Sequence, residues 1–149
     1  MKTPHIRVVQ QDDRQAWGKL WQAYLDFYEC ELAPEVTEHL WQQLVQEDSQ
    51  LSAFIVEDSQ GELLGFSHCL VHPYTWDIHP CCYLEDLYIA PQARSQGLGR
   101  AMIEYVRTFA QARGCTRLYW VTHQENQQAQ KLYEKIATRM DMIQYRINL

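Results

Sequence analysis

Among the residues of this sequence, those of a short loop with two glycines and two arginines most clearly indicate a chemical function. It consists of Arg94, Ser95, Gln96, Gly97, Leu98, Gly99 and Arg100. A helix that begins at these glycines leaves backbone N–H groups unpaired and presents the positive end of its dipole. Glycine has no Cβ, so a phosphate can approach the backbone closely, and the arginines can neutralise its charge. The loop therefore predicts an anion site at a helix start.

Two well-known glycine loops do not fit these residues. No Lys-Ser or Lys-Thr pair follows the glycines, which excludes a P-loop. Met102 stands where a dinucleotide-binding fingerprint needs its third glycine. A simpler alternative stays open, in which the glycines only permit close packing of a helix on a strand.

The elements that must position this loop follow from hydrophobic spacing. Period-two runs and turn residues predict strands, and apolar residues at helical spacing predict helices. The predicted strands are residues 6–9, 51–57, 63–71, 82–89, 117–122 and 142–147. The predicted helices are residues 14–29, a segment beginning at Pro34, residues 97–113 and residues 126–137. This order indicates one α/β domain, residues 1–149, with a mixed sheet.

Composition excludes several classes of function. The 149 residues carry a net charge of −6 without a cluster of Lys and Arg, so we expect no nucleic-acid partner. No segment approaches the roughly 20 apolar residues of a membrane span, so we expect no membrane partner. Five cysteines without a CxxC pair argue against a disulfide framework or a zinc site, and they favour a cytoplasmic location.

The loop and the segments around it resemble the GNAT superfamily of N-acetyltransferases. Residues 94–99 match its Arg-x-x-Gly-x-Gly signature, and residues 119–122 with the 126–135 segment resemble its second signature. The run 83–86 is similar to the diamine (spermidine/spermine) acetyltransferase branch, and the end of the match resembles histone-acetyltransferase-like members. The resemblance implies a GNAT-type single domain with a central twisted mixed sheet of six to seven strands flanked by four helices.

The resemblance implies acetyl-CoA as cosubstrate, with no metal. The loop would hold the pyrophosphate, and the main chain of Leu87, Tyr88 and Ile89 would pair with the pantetheine arm. Asn126 and Tyr133 are seven residues apart, which places both on one helix face about 10 Å apart. In the family the asparagine contacts pantetheine and the tyrosine hydroxyl points at the thioester sulfur. The alternatives from residue type alone are a helix N-cap for Asn126 and a core aromatic for Tyr133.

The acceptor in this family is an amine, which must lose a proton before it attacks. Glu85 is the first candidate for the base, and Asp86 for contact with the substrate. Strand alternation points these neighbours to opposite faces unless a bulge intervenes, and each could instead be a surface charge. Trp76 and Tyr28 could bind a cationic amine through their ring faces, although Tyr28 also fits a helix core.

These observations predict transfer of acetyl to a primary amine of a small, polyamine-like or amino-acid-like molecule. The alternatives are a protein or peptide acetyltransferase and a non-catalytic acyl-CoA sensor. A homodimer is possible by resemblance. Two departures from the family pattern are Ser95, where relatives often carry glycine, and Ala137, where many relatives end a helix with glycine. The second departure leaves the geometry of the final strand open.

Overall fold

The computed structural model describes residues 4–149 and is built on a five-stranded mixed sheet. Its strands are β1 (His5–Val8), β2 (Leu51–Glu57), β3 (Leu63–His72), β4 (Cys81–Ile89) and β5 (Arg117–Tyr119). Their order in the sheet follows the chain, with β1 to β4 antiparallel and β4 parallel to β5. The predicted α/β class and mixed sheet are confirmed.

Four α-helices pack against this sheet within the described residues. They are α1 (Arg14–Phe27), α2 (Pro34–Val45), α3 (Leu98–Ala112) and α4 (Gln127–Ile136). Helices α1 and α2 cover one face with a tryptophan-rich core that includes Trp17 and Trp41. Helix α3 covers the other face through Met102 and Val106. Strand β2 serves both cores because its successive side chains point to opposite faces.

A β-bulge interrupts the pairing of β3 with β4. His68 lies opposite Asp86, while the next residue, Cys69, lies opposite Leu84. Glu85 is thus the extra residue of β4, and such a bulge re-aims side chains. The bulge that the sequence left as a condition for the two carboxylates is present.

Strands β4 and β5 pair over three residues and then separate. The pairing joins Cys81–Tyr83 to Arg117–Tyr119, and β5 ends there rather than at the predicted residue 122. Beyond Tyr83, the edge of β4 that faces β5 has no strand partner among residues 4–149. An amide-rich ligand could pair with that edge.

The predicted final strand, residues 142–147, is wrong for the single chain. Residues after Ile136 form neither helix nor strand, so the sheet has five strands rather than six to seven. The physical reason is the absence of a partner, because a strand exists only where its backbone groups are paired. Ala137, at the end of α4, is extended with φ −145° and not left-handed, so the chain leaves that helix without the turn that glycine favours.

Candidate functional site

The glycine loop has the backbone geometry of an anion site. Gly97 precedes α3 in a left-handed conformation with φ 77°. The first helical hydrogen bond runs from Ala101 N–H to the Gly97 carbonyl at 3.0 Å. The N–H groups of Leu98, Gly99 and Arg100 therefore have no partner within the helix and point out of its start.

The alternative of glycines needed only for close packing is less well supported by the structure. A Cβ added at Gly97 would meet nothing within 4 Å. A Cβ at Gly99 would lie 3.7 Å from Leu132 Cδ2, an ordinary contact. Neither glycine is thus required by a neighbouring side chain. Gly97 is required by its backbone conformation, and the space in front of it is open.

The two arginines of the loop are both exposed. Arg94 Nε donates to the Ile89 carbonyl at 3.0 Å, and its guanidinium lies 5.8 Å from the Tyr88 ring and 5.9 Å from the Phe27 ring. These contacts hold Arg94 between β4 and α1. Its planar fork keeps further N–H donors that suit phosphate oxygens.

The helix α4 places Asn126 and Tyr133 as the spacing predicts. Asn126 is the N-cap, and its Oδ1 accepts from Ala129 N–H at 3.4 Å. The cap uses the carbonyl oxygen of the side chain and leaves the amide NH₂ as a donor. The N-cap alternative is therefore confirmed, and it is compatible with a ligand contact.

Tyr133 is half-buried between α4 and the segment that follows β5. Its ring lies edge-on to Trp120 at 5.3 Å. Burial, and next the nearby Tyr28, raise the pKa of the Tyr133 hydroxyl above its ordinary value. The hydroxyl therefore holds its proton at neutral pH and can serve as a proton donor.

The bulge on β4 presents two carboxylates with different surroundings. Asp86 is fully engaged, since Oδ1 accepts from the Tyr24 hydroxyl at 2.8 Å and Oδ2 lies 2.9 Å from His68 Nδ1. Glu85 is exposed at the bulge. Burial, and next the charge of Asp86, raise the pKa of Glu85 above its ordinary value. A carboxylate with a raised pKa is a stronger base.

Tyr28 lies near both Asp86 and residues of helix α4 and the segment before it. Burial and then Asp86 raise the pKa of Tyr28, and Tyr28 in turn raises that of Tyr133. The Tyr28 ring also packs 5.6 Å from His123, just before α4. The structure thus connects Asp86, Tyr28 and Tyr133, which come from three segments: β4, the end of α1 and α4.

The predicted substrate residue Trp76 lies elsewhere. It is 86% exposed in the loop between β3 and β4, and its aromatic neighbour is Tyr74 at 6.4 Å. Tyr74 packs under Arg117 at the start of β5, 4.4 Å from ring to guanidinium. These contacts place Trp76 beyond the first residue of β4. Glu85 is four residues after Cys81, the first residue of that strand, which is roughly 13 Å along it.

Several residues near the carboxylates were not singled out for this site by the sequence. The rings of Tyr83 and Tyr119 pack at a tilt across β4 and β5, with their centres 4.9 Å apart, and burial raises the pKa of both hydroxyls with a smaller contribution from Glu85. His68 is buried opposite Asp86. An antiparallel pairing of residues 63–72 with 81–89 would have found His68, but the bulge hides the register from the sequence.

Residues 4–149 contain no group of three or more His, Cys, Asp or Glu side chains placed to hold a metal ion. None of their helices combines the length and the apolar character that crossing a membrane requires.

The chain matches known proteins over most of its length. The family described as Acetyltransferase (GNAT) family matches residues 14–137. The D-amino-acid N-acetyltransferase HPA3 of Saccharomyces cerevisiae is 33% identical over 144 residues, covering 96% of this chain and 89% of that protein. The aminoglycoside N(6')-acetyltransferase type 1 of Klebsiella aerogenes is 29% identical over 122 residues, covering 76% of this chain and 75% of that protein.

The fold agrees with solved structures. The aminoglycoside acetyltransferase AAC(6')-Iy, in complex with the bisubstrate analog CoA-S-monomethyl-acetylneamine, aligns with a TM-score of 0.85 over 99% of this chain and all of that one, at 22% identity. The predicted GNAT fold is thereby confirmed. With the family match and the named relatives, this shows that the chain belongs to the GNAT family and is an N-acetyltransferase.

Proposed function

We propose that this enzyme transfers the acetyl group of acetyl-CoA directly to a primary amine of a small cationic molecule. The observation that carries the proposal is the bulge in β4, which sets Glu85 beside Asp86, together with the neighbours of Asp86: Asp86 acts on the hydroxyl of Tyr28, and Tyr28 acts on that of Tyr133. An acidic region lined by aromatic rings suits a protonated amine. The relatives, named for D-amino acids and aminoglycosides, act on small amines.

The cosubstrate would lie along the split between β4 and β5. The N–H groups at the start of α3, with Arg94 and Arg100, would bind the pyrophosphate. The main chain of Leu87, Tyr88 and Ile89 would pair with pantetheine amides, and the Asn126 amide would donate to the same arm. The complex of AAC(6')-Iy with a bisubstrate analog that contains CoA supports this cosubstrate.

The two carboxylates would have separate roles. Asp86 already accepts hydrogen bonds on both oxygens, which fixes it as an anchor for the ammonium group. Glu85, with its raised pKa, would take the proton from the amine directly or through a water. The neutral nitrogen then attacks the thioester carbonyl carbon, a C–N bond forms and the C–S bond breaks. Tyr133 would give its proton to the departing thiolate and would regain one as the attacking nitrogen loses its second proton to become the amide.

We further propose that the protein is cytoplasmic and forms a homodimer. All five cysteines are free thiols, which fits a reducing compartment. The large apolar side chains that are exposed at the end of the chain, such as Tyr145 and Ile147, support the dimer.

A panel of amines tests the proposed activity. Release of CoA thiol would be followed with polyamines, D- and L-amino acids, thialysine, aminoglycosides and lysine peptides. We expect turnover with one class of small cationic amine and a loss of about 10²-fold in Tyr133→Phe. Preference for lysine peptides would favour the protein acetyltransferase. Tight CoA binding with no turnover on any amine would favour the sensor.

A further inference from the structure

His68 is a buried polar residue that the proposed reaction does not yet use. Its side chain lies on β3 and is 1% exposed. Its ring is enclosed by Trp17, Trp21 and Phe66, whose ring centres lie 4.7 to 6.0 Å from its own. A polar side chain in such surroundings is costly unless its polar atoms are hydrogen-bonded. Both ring nitrogens of His68 therefore need partners, and these partners fix what the ring can do.

Trp17 decides which nitrogen of His68 carries the proton. The indole N–H of Trp17, on α1, donates to Nε2 of His68 at 3.1 Å. An indole nitrogen is a donor only, so Nε2 must be the acceptor of the imidazole ring. The ring proton of His68 then lies on Nδ1, and a second proton on Nε2 would point at the indole N–H. The imidazole is therefore neutral and held in one tautomer.

The proton on Nδ1 is directed at Asp86. Nδ1 of His68 lies 2.9 Å from Oδ2 of Asp86, and the Tyr24 hydroxyl donates to Oδ1 at 2.8 Å. Burial, and next the charge of Asp86, raise the pKa of the Tyr24 hydroxyl, so this group stays a neutral donor. The carboxylate is thus clamped between β3 and α1 in one orientation.

The clamp leaves the charge of Asp86 without a counterion. Its two donors, His68 and Tyr24, are both neutral, and among residues 4–149 no lysine or arginine pairs with Asp86. The next residue along β4, Glu85, is a second carboxylate. Only 17% of the Asp86 side chain is exposed, so water screens its charge incompletely. A cation from outside the protein would be strongly attracted to this position.

We propose that Trp17 and His68 are positioning residues: the indole sets the tautomer of the imidazole, and the imidazole holds Asp86 as an uncompensated anion that binds the ammonium group of the acceptor. This inference rests on the proposed function, because it concerns the carboxylate assigned to the acceptor. A buried lysine or arginine in place of His68 would also fix Asp86, but it would neutralise the charge. A neutral donor fixes the carboxylate and leaves its charge to the substrate.

The same arrangement gives the two carboxylates of the bulge different freedom. Asp86 lies opposite His68 in the pairing of β3 with β4, and Glu85 is the extra residue beside it. Asp86 is held at both oxygens, whereas Glu85 is exposed. A fixed carboxylate suits binding, and an exposed one can pass its proton to water. We therefore expect the loss of the His68 donor to raise the KM for the amine and to change kcat little.

Two amide substitutions at His68 separate its two hydrogen bonds. The amide nitrogen of asparagine can take the place of Nδ1 and donate to Asp86. Glutamine is one methylene longer and places its amide near the position of Nε2, beside Trp17. With the best amine of the acceptor panel, we expect the KM for the amine to rise about tenfold in His68→Gln and to be restored by His68→Asn. The KM for acetyl-CoA should be unchanged in both variants.

Nitrogen-15 NMR of the histidine rings tests the tautomer without any acceptor. We expect His68 of the unaltered enzyme to be neutral, with its proton on Nδ1. In Trp17→Phe, which loses the indole N–H, a proton should appear on Nε2 in part of the molecules. Trp41→Phe is the matched control, because Trp41 packs in the same core with its ring centre 5.0 Å from that of Trp17. This control should keep the proton of His68 on Nδ1 alone.

Three results would overturn the proposal. Equal KM values for the amine in His68→Asn and His68→Gln would mean that the donor to Asp86 does not affect acceptor binding. A doubly protonated His68, or a proton on Nε2 in the unaltered enzyme, would remove the neutral donor. An unchanged tautomer in Trp17→Phe would remove Trp17 as the residue that sets it.

The failure of this proposal and that of the proposed function can be told apart. Turnover of a small amine together with any of these three results would leave the proposed function standing. Tight CoA binding without turnover of any amine would overturn the proposed function, and the role of Asp86 in binding an ammonium group would fall with it.

Discussion

The two ends of this chain are packed very differently. Every buried residue of the described chain lies at or before Ala110, and residues 111–149 contribute none. The earlier part has tryptophans stacked on one face of the sheet and the interior of α3 on the other. The later part has a three-residue strand, a half-covered helix and an exposed extended segment. One polypeptide therefore combines a dense scaffold with a lightly held end.

The densely packed and the lightly packed regions supply different groups to the candidate site. The scaffold supplies the anion loop, the open edge of β4 and the two carboxylates, which must be rigid to orient ligands. The lightly packed end supplies Asn126 and Tyr133, which would contact the thioester arm. Regions that move during binding are drawn from the least stable parts of a protein. We therefore expect cosubstrate binding to slow amide exchange in α4 more than in α3.

The largest effect is expected for Tyr133→Phe, which tests whether a residue of the lightly packed end takes part in acetyl transfer. Removing the hydroxyl should lower kcat by about 10²- to 10³-fold because the thiolate loses its proton donor. Affinity for acetyl-CoA, measured by calorimetry, should be unchanged, since the ring still packs on Trp120.

Tyr105→Phe is the matched control in the scaffold, where Tyr105 packs on Phe54 at 5.0 Å. It should keep full activity. Equal rates in Tyr133→Phe and the unaltered enzyme would remove Tyr133 from the mechanism and leave α4 a structural element only.

The sequence predicts the scaffold well because its signals are local. The strand, loop and helix around Gly97 are consecutive in the chain, and Asn126 and Tyr133 lie on one short helix. The strand and helix follow from the spacing of apolar residues, the pair Asn126 and Tyr133 from helix geometry, and Gly97 from the need for a positive φ. The anion site and the shared face of Asn126 and Tyr133 could therefore be predicted from the residues, whereas the roles of these two side chains are what the family resemblance implies.

What the sequence could not predict depends on pairing between distant segments. The bulge at Glu85 arises from the register of β3 against β4, and the clamp on Asp86 joins residues 18 and 62 positions apart. The alternation of residues 142–147 predicts a strand that the single chain does not form, because a pattern cannot say whether the same chain supplies the partner. The place of Trp76 just before β4 predicts substrate contact, yet its ring packs near Tyr74 instead.

The packing contrast itself predicts a difference in stability. Met102 is fully buried in α3, whereas Ile136 at the end of α4 is half-covered. Met102→Ala should lower the free energy of unfolding by about 3 kcal/mol, and Ile136→Ala by about 1 kcal/mol, because less apolar surface is lost. Urea unfolding of both variants at one protein concentration measures the difference. Equal losses would mean that Ile136 is buried in solution as fully as Met102.

A smaller effect on rate is expected for Glu85→Gln, which tests whether this residue of the scaffold is the base that deprotonates the amine. Glu85 acts only when deprotonated, so activity is lost as the pH falls through its pKa, which burial and Asp86 raise above the ordinary value. The acid limb of kcat/KM should therefore lie above the range of an unperturbed glutamate. Glu85→Gln should lower kcat/KM by about 10²-fold and abolish that limb.

The surface variant Glu104→Gln on α3 should leave both the rate and the pH profile unchanged, because Glu104 is remote in the fold and pairs only with Arg107. An acid limb that persists in Glu85→Gln would move the base to another group or to water.

The smallest effect separates backbone strain from ligand binding by using two glycines at opposite ends of α3. Gly97 and Gly114 have φ values of 77° and 74°, and a Cβ at either would meet nothing within 4 Å. Valine at either position should therefore destabilise the fold by a similar amount, about 1 to 3 kcal/mol, through an unfavourable conformation. Only Gly97→Val should also weaken CoA binding, by about tenfold, because its side chain would occupy the space in front of the N–H groups of α3. Equal CoA affinity in the two variants would mean that the loop is held by strain alone and that the pyrophosphate binds elsewhere.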